Sequence, residues 1–199
     1  MRICVYGAAS AALDQKYLSD AYRLGEAMAQ QQIGLVYGGG ATGMMGAVAE
    51  GVYAHQGEII GVCPEFFNSD GRLFANCTQM LYTENMRQRK QKMEDLADAF
   101  IVTAGGIGTF DEFFEMLTLK QLGRHHKPIA ILNTAGYFDG LIAFLEHGIR
   151  EKFMQPAFRE LFFVSDCITE VLQYVCTVPA DAPADVTRYK AVDKREEEK

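Results

Sequence analysis

Three short turns rich in glycine or other small residues each follow a strand-like apolar run and precede a helical stretch. They are GAAS at residues 7–10, GGGATGMMG at residues 38–46 and AGGIGTFDEFFE at residues 104–115. Glycine allows the backbone to approach a ligand closely, and the following helix presents unpaired N–H groups and a positive dipole end. The three turns together favour a phosphate site. A single such turn is as compatible with a tight strand-to-helix connection that holds no ligand.

A basic cluster precedes the third turn, where residues 87–92 read RQRKQK, with four basic residues and no acid. A solvated helix face is the usual explanation of such a run. Arg89, however, shares a helix face with Met86 and Met93. We therefore expect this face to turn inward, where a cation needs a partner.

Two carboxylates, Glu112 and Glu115, lie one turn apart on the helix that opens near Thr109. For Glu112, complementing the helix dipole is the simpler explanation, because it stabilises a helix by about 0.3–1 kcal/mol. Beside a glycine turn and an inward arginine, the same carboxylate would suit a phosphorylated, hydroxyl-rich ligand. The first turn lacks the GxGxxG pattern and no GxxxxGK[ST] loop occurs, so we expect no dinucleotide cofactor and assign no other.

These residues must be positioned by an alternation of short apolar runs and longer amphipathic stretches. Near-continuous apolar strands indicate burial on both faces, and intervening helices indicate parallel connections. We predict one α/β domain over residues 1–177, a Rossmann-like, doubly wound parallel sheet of about seven strands in a three-layer α/β/α arrangement. Residues 178–199 are predicted to form a charged, flexible tail.

Composition excludes several classes of protein. The 199 residues include 19 Lys+Arg and 26 Asp+Glu, a net charge of −7, which argues against a general binder of nucleic acid or membrane surfaces. No run approaches the roughly 18 apolar residues of a membrane span, and none resembles a signal peptide. Five cysteines without a CxxC pair predict reduced thiols in a cytoplasmic protein. The histidines lack metal-ligand spacing, and we place the adjacent pair, His125 and His126, in a solvated turn.

The stretch NMRQRKQKMEDLADAFIVTAGGIGTFDEFFE resembles the MxxRK and PGGxGTxxE signature of the LOG ("lonely guy") family, often labelled lysine decarboxylase-like. The resemblance extends to YGGGATGMMGAVAEGV, to ICVYGAAS and to TLKQLGRHHKPIAILNTAGYFDGLIAF, and so covers roughly residues 2–151. A decarboxylase is disfavoured, because no lysine lies in a context suited to pyridoxal phosphate. Ala104 stands where the family has proline, which predicts altered loop stiffness rather than loss of the site.

The resemblance implies hydrolysis of the N-glycosidic bond of a nucleoside 5′-monophosphate, such as AMP or an N6-substituted (cytokinin-type) AMP, by a homodimer. It implies Arg89 and Glu112 as the catalytic pair. The predicted substrate-binding residues are Lys90, Gly105, Gly106, Gly108, Thr109, Thr118, Gly39, Gly40 and Glu115. Two alternatives stay open: a carrier of a phosphorylated ligand, such as the molybdenum-cofactor carriers that resemble this fold, and a nucleotide sensor without turnover.

Overall fold

The computed structural model describes residues 1–67 and 72–178. The sheet consists of seven strands, β1 (Arg2–Tyr6), β2 (Gly34–Tyr37), β3 (Ile59–Pro64), β4 (Gln79–Thr83), β5 (Ala99–Val102), β6 (Ile129–Leu132) and β7 (Phe163–Ser165). Within the described ranges six α-helices form: α1 (Gln15–Gln30), α2 (Gly43–Ala54), α3 (Met86–Leu96), α4 (Ile107–Gln121), α5 (Asp139–Arg150) and α6 (Ile168–Thr177). Short 3₁₀ helices cover Glu65–Phe67, Thr134–Gly136 and Pro156–Leu161.

The strands lie in the order β4-β3-β2-β1-β5-β6-β7, and neighbouring strands of this sheet are parallel. The chain builds outward from β1 to β4 and then returns to place β5 on the other side of β1. That reversal leaves a crevice beyond the carboxyl ends of β1 and β5, where open α/β sheets bind ligands. The predicted fold class is confirmed.

Two apolar cores, one on each face of the sheet, explain the continuous apolar strands. On β1, Ile3 and Val5 pack with residues of α1, α2 and α6, whereas Cys4 and Tyr6 pack with residues of α3, α4 and α5. Successive side chains of a strand point to opposite faces, and here helices cover both faces. The result is the predicted three-layer arrangement.

Helix ends differ slightly from the sequence-based expectation. Asp14 caps α1 by accepting a hydrogen bond from the Lys16 amide at 3.0 Å, and Asn85 caps α3 through the Gln88 amide at 3.0 Å. Helix α4 begins at Ile107, two residues before the predicted start. Within the described residues no helix has the length and apolar character needed to cross a membrane. The predicted tail, from residue 179 onward, lies outside these residues.

Candidate active site

Arg89 extends from the second turn of α3 across the carboxyl end of β3. Its Nε donates to the Val62 carbonyl at 3.1 Å, and its Nη1 donates to Glu112 Oε1 at 2.7 Å. The residue is 8% exposed. A Cβ on Gly38 would lie 2.2 Å from Nη2, so the absence of a side chain there lets the guanidinium rest against the end of β2. The inward arginine predicted from the basic cluster is present, and its partner is a carboxylate.

Glu112 lies in the second turn of α4 and is 9% exposed. Burial raises the pKa of this carboxyl above its ordinary value, and the adjacent Arg89 opposes the shift by favouring the charged form. A carboxylate that is both desolvated and paired can interact strongly with a cation that develops beside it, because water does not screen the interaction.

The predicted phosphate cradle forms the junction between β5 and α4. Gly106 is the N-cap of α4 and supplies no side-chain hydrogen bond, so the first-turn amides of a 15-residue helix remain uncapped by it. Open space surrounds the positions where Gly106 and Gly108 would carry a Cβ. Gly105 is different, since a Cβ there would lie 2.1 Å from Thr109 Oγ1. These contacts shape an accessible helix N-terminus of the kind that binds phosphate.

A cavity of about 390 Å³, lined in part by Arg89, lies at the carboxyl ends of β2 and β3. A short backbone strap closes one wall: the Ala41 amide donates to the Arg72 carbonyl at 3.0 Å, and the Phe74 amide to the Gly39 carbonyl at 2.9 Å. The cavity is within the size range of small-molecule sites. Its lining combines glycine backbone, apolar side chains and two arginines, from Gly38, Gly40, Met45, Cys63, Pro64, Phe67, Arg72, Leu73 and Arg89, with Ala9 and Thr42.

Two of the predicted binding residues, Gly39 and Gly40, have different surroundings. Gly40 lines the cavity with Arg89, whereas Gly39 is buried with a φ of +78° and faces Met80. Glycine is needed at residue 39, because other residues rarely adopt this backbone conformation.

Lys90 is bound within an ion-pair cluster that joins α3 to α4. Its Nζ lies 2.8 Å from Glu115 and 3.1 Å from Asp111, and these carboxylates raise the pKa of Lys90. Lys90 and Glu115 therefore fix the two helices that carry the arginine and the glutamate. Thr118 is exposed on α4. Direct substrate contacts of Lys90, Glu115 and Thr118 remain predictions.

Two expectations about single residues were wrong. Met86, expected on the inward face of α3, is 38% exposed because it opens the helix. His125, expected in a solvated turn, is buried, with its Nε2 2.9 Å from the Met116 carbonyl, and burial lowers its pKa to about 4. Across residues 1–67 and 72–178, no group of three or more His, Cys, Asp or Glu side chains is placed to hold a metal ion.

Tyr137, at the carboxyl end of β6, was not identified from the sequence, although its hydroxyl donates to the Gly105 carbonyl at 2.6 Å. Placement beyond the carboxyl end of a parallel strand was a signal that could have found it. The contribution of the strap residues Arg72 and Leu73 had no comparable signal, since the irregular segment that holds them shows no periodic pattern.

Comparison with solved structures agrees with this fold. A molybdenum cofactor binding protein from Rippkaea orientalis superposes with a TM-score of 0.64 at 19% identity, covering 86% of this chain and 91% of that chain. A molybdenum cofactor carrier protein from Chlamydomonas reinhardtii gives 0.64 at 21% identity, covering 88% and 95%. At these identities the likeness concerns the fold alone.

Sequence comparison is more specific. The family model described as "possible lysine decarboxylase" matches residues 45–175. A probable cytokinin riboside 5′-monophosphate phosphoribohydrolase of Oryza sativa subsp. japonica is 35% identical over 92% of this chain and 76% of its own length. A cytokinin riboside 5′-monophosphate phosphoribohydrolase of Arabidopsis thaliana is 34% identical over 86% and 80%. With this identity over most of both chains, and the MxxRK and GGxGTxxE residues assembled in one crevice, the protein belongs to the LOG family.

Proposed function

We propose that this protein hydrolyses the N-glycosidic bond of a nucleoside 5′-monophosphate, AMP or an N6-substituted AMP, to the free base and ribose 5-phosphate. The observation that carries the proposal is the buried Arg89–Glu112 pair, at 2.7 Å, beside the glycine cradle of α4. Its LOG relatives are named for this reaction on cytokinin riboside 5′-monophosphates.

The reaction breaks the bond between C1′ of the ribose and a ring nitrogen of the base. Water supplies a hydroxyl to C1′ and a proton to the base. The transition state has oxocarbenium character, which an adjacent carboxylate stabilises by charge. Glu112 is the residue suited to this task, and it also orients a ribose hydroxyl or the attacking water. Arg89 favours the charged form of Glu112 by pairing with it, and so opposes the effect of burial on its pKa.

The 5′-phosphate supplies binding energy far from the bond that breaks. Held by the amides of residues 106–109, it fixes the position of C1′ relative to Glu112. Remote binding of this kind lowers the barrier by positioning, so nucleosides without a phosphate should react poorly. The cavity of about 390 Å³ beside Arg89 is the space available to the base.

The test is a base-release assay with the purified protein. AMP and N6-isopentenyladenosine monophosphate are incubated with the protein, each beside its matched nucleoside that lacks the phosphate, and free base is separated by chromatography. Base release from the monophosphates, with little from the nucleosides, supports the proposal. Tight binding of a monophosphate without release would contradict it and favour the carrier or sensor alternative.

We also propose that the protein is a cytoplasmic homodimer. Five free cysteines are compatible with a reducing compartment. Exposed apolar side chains at both ends of α4, Ile107 at 86% and Leu122 at 59%, favour that helix as part of an interface between copies. Light scattering coupled to size exclusion tests the assembly: a dimer mass is expected, and a monomer at all concentrations would contradict the proposal.

A further inference from the structure

The backbone carbonyls of residues 104–106, at the start of the cradle, each accept a hydrogen bond from another part of the protein or from α4. The Ala104 carbonyl accepts from the Ala8 amide at 3.2 Å, and the Gly105 carbonyl accepts from Tyr137 Oη at 2.6 Å. The Gly106 carbonyl accepts the Phe110 amide at 3.0 Å, as the first bond of α4. A carbonyl that faced a phosphate would repel it, so holding these oxygens elsewhere leaves amide donors for the anion.

Tyr137 lies in the loop between β6 and α5, which hydrogen bonds of Asn133 restrain. Asn133 Oδ1 accepts from the Phe138 amide at 2.8 Å, and Asn133 Nδ2 donates to Asp139 at 2.8 Å. The Tyr137 ring makes edge contacts with Tyr17 and Phe138, at centroid distances of 5.8 and 5.0 Å. With its ring fixed on two sides, the hydroxyl can hold a neighbouring loop in place although the residue is 41% exposed.

Residue 104 is where this chain departs from the LOG signature, with alanine in place of proline. Proline restricts φ, and alanine restores freedom to the unbound loop. A hydrogen bond to the next carbonyl restrains the same stretch of backbone by another means. A proline at residue 104 and the hydrogen bond from Tyr137 to the Gly105 carbonyl would restrain adjacent peptide units. Each should therefore contribute more to loop order when the other is missing.

We propose that Tyr137 is a positioning residue for the phosphate cradle, and that this chain depends on it because residue 104 is alanine. This inference rests on the proposed function for its catalytic readout, but its binding readout stands without turnover. Tyr137 acts through Gly105. Its loss should therefore weaken binding of the phosphate and leave the chemistry at Glu112 largely intact.

The test is a double-mutant cycle of Tyr137→Phe and Ala104→Pro. Tyr137→Phe removes the hydroxyl and keeps the ring contacts. In the Ala104 background we expect KM for AMP to rise about five- to tenfold, the range of one neutral hydrogen bond, with kcat changed less than about twofold. In the Ala104→Pro background the same change should raise KM no more than about twofold. Tyr17→Phe, which removes a hydroxyl from the neighbouring ring, is the matched control and should leave KM unchanged.

Calorimetric titration with AMP and with ribose 5-phosphate measures the binding affinity of each variant in the cycle, and this measurement does not depend on turnover. If the wild type binds AMP but releases no base, the proposed function fails while the cycle still tests Tyr137. Equal losses of affinity in the two backgrounds would overturn the dependence on Ala104. Unchanged affinity in Tyr137→Phe, or a loss confined to kcat, would overturn the positioning role. Thermal unfolding of each variant verifies that it is folded.

Discussion

Strand β2 has an arginine–glutamate pair near each end, and the two pairs differ in almost everything except composition. The amino-end pair, Arg2 and Glu58, is joined by two hydrogen bonds of 2.8 Å, with side chains 41% and 40% exposed. The carboxyl-end pair, Arg89 and Glu112, is joined through Nη1 and Oε1 at 2.7 Å, with side chains 10% and 11% exposed.

The two environments shift the pKa of the carboxyl group in opposite directions. The hydrogen bonds from Arg2 lower the pKa of Glu58, whereas burial raises the pKa of Glu112 despite its arginine. An exposed pair is solvated and screened, so it contributes little beyond local order. A buried pair is costly to desolvate and strongly affected by the loss of one partner, which is a poor design for stability but a useful one for chemistry.

Cavity volume does not follow the burial of the two ion pairs. The larger cavity, about 850 Å³, lies at the amino end of the sheet and is lined by Arg2 and Glu58 together with Asp95 and Asp98. It has no helix N-terminus with a glycine cradle. The smaller cavity at the carboxyl end lies beside the crevice where the chain direction reverses. Position in the topology, together with burial of charge, therefore favours the carboxyl end as the candidate site, whereas cavity volume favours the amino end.

The largest expected difference between the pairs is catalytic. Arg89→Ala and Glu112→Gln should each lower AMP turnover by about a hundredfold or more, because Glu112→Gln removes the carboxylate charge that stabilises the transition state and Arg89→Ala removes the partner that favours that charge. The matched changes at the amino end, Arg2→Ala and Glu58→Gln, should stay within about twofold. Base release measured by chromatography and folding verified by circular dichroism make the comparison. Near wild-type rates in either carboxyl-end variant would contradict the assigned roles.

A smaller effect on kcat/KM is expected when the glycine that contacts each pair is replaced by alanine. A Cβ at Gly38 would lie 2.2 Å from Arg89 Nη2, and one at Gly34 would lie 2.5 Å from Glu58 Oε2. Arg89 is buried and bound on two sides, so it cannot move without losing a hydrogen bond. Glu58 can swing into water. Gly38→Ala should therefore lower kcat/KM about tenfold, roughly the loss of one charge-assisted hydrogen bond, and Gly34→Ala should change it less than twofold.

The two alanine variants also separate displacement of the guanidinium from loss of its charge. Equal effects at Gly38 and Gly34 would show that the buried position of Arg89 is not what matters. A loss in Gly38→Ala that is accompanied by unfolding, as seen in its melting curve, would assign the effect to a general loss of stability rather than to displacement of Arg89.

Much of the fold could be predicted from the sequence, because both cores impose a simple pattern. Strand β1, for example, is buried without a break from Ile3 to Tyr6, since alternate side chains enter opposite cores. The start of α4 was predicted less accurately. Gly106 offers no side-chain cap to mark the start of α4, and the predicted start at Thr109 came two residues late.

The site could be predicted only in part, because motif spacing identifies residues but not their partners in space. Arg89 and Glu112 follow from the motif and from the inward face of α3, and they meet across 23 residues of sequence. The engagement of Lys90 by Glu115 depends on how α3 and α4 pack. The contact from Tyr137 to Gly105 depends on strand order in the sheet, which periodicity alone does not determine.

The smallest expected effect is a pH dependence of stability that has opposite signs at the two ends. The pKa of Glu58 is lowered below 4.5 in the folded protein, so its contribution to stability is present above that pH and is lost as the pH falls through the folded pKa. The pKa of Glu112 is raised above 4.5, so the folded state binds a proton more readily than the unfolded chain. Stability due to Glu112 is therefore greatest at acidic pH and falls as the pH rises through the folded pKa.

Urea unfolding of Glu58→Gln and Glu112→Gln between pH 3 and pH 7 measures both contributions against the wild type. The free energy of unfolding of the wild type should exceed that of Glu58→Gln by a margin that shrinks toward pH 3. Relative to Glu112→Gln, the free energy of unfolding of the wild type should fall from pH 4 to pH 7. Added salt should reduce the first difference more than the second, because screening acts on exposed charges. Parallel curves for the two variants would mean that the carboxyl-end pair is as well solvated as the amino-end pair, and burial would then not explain its chemistry.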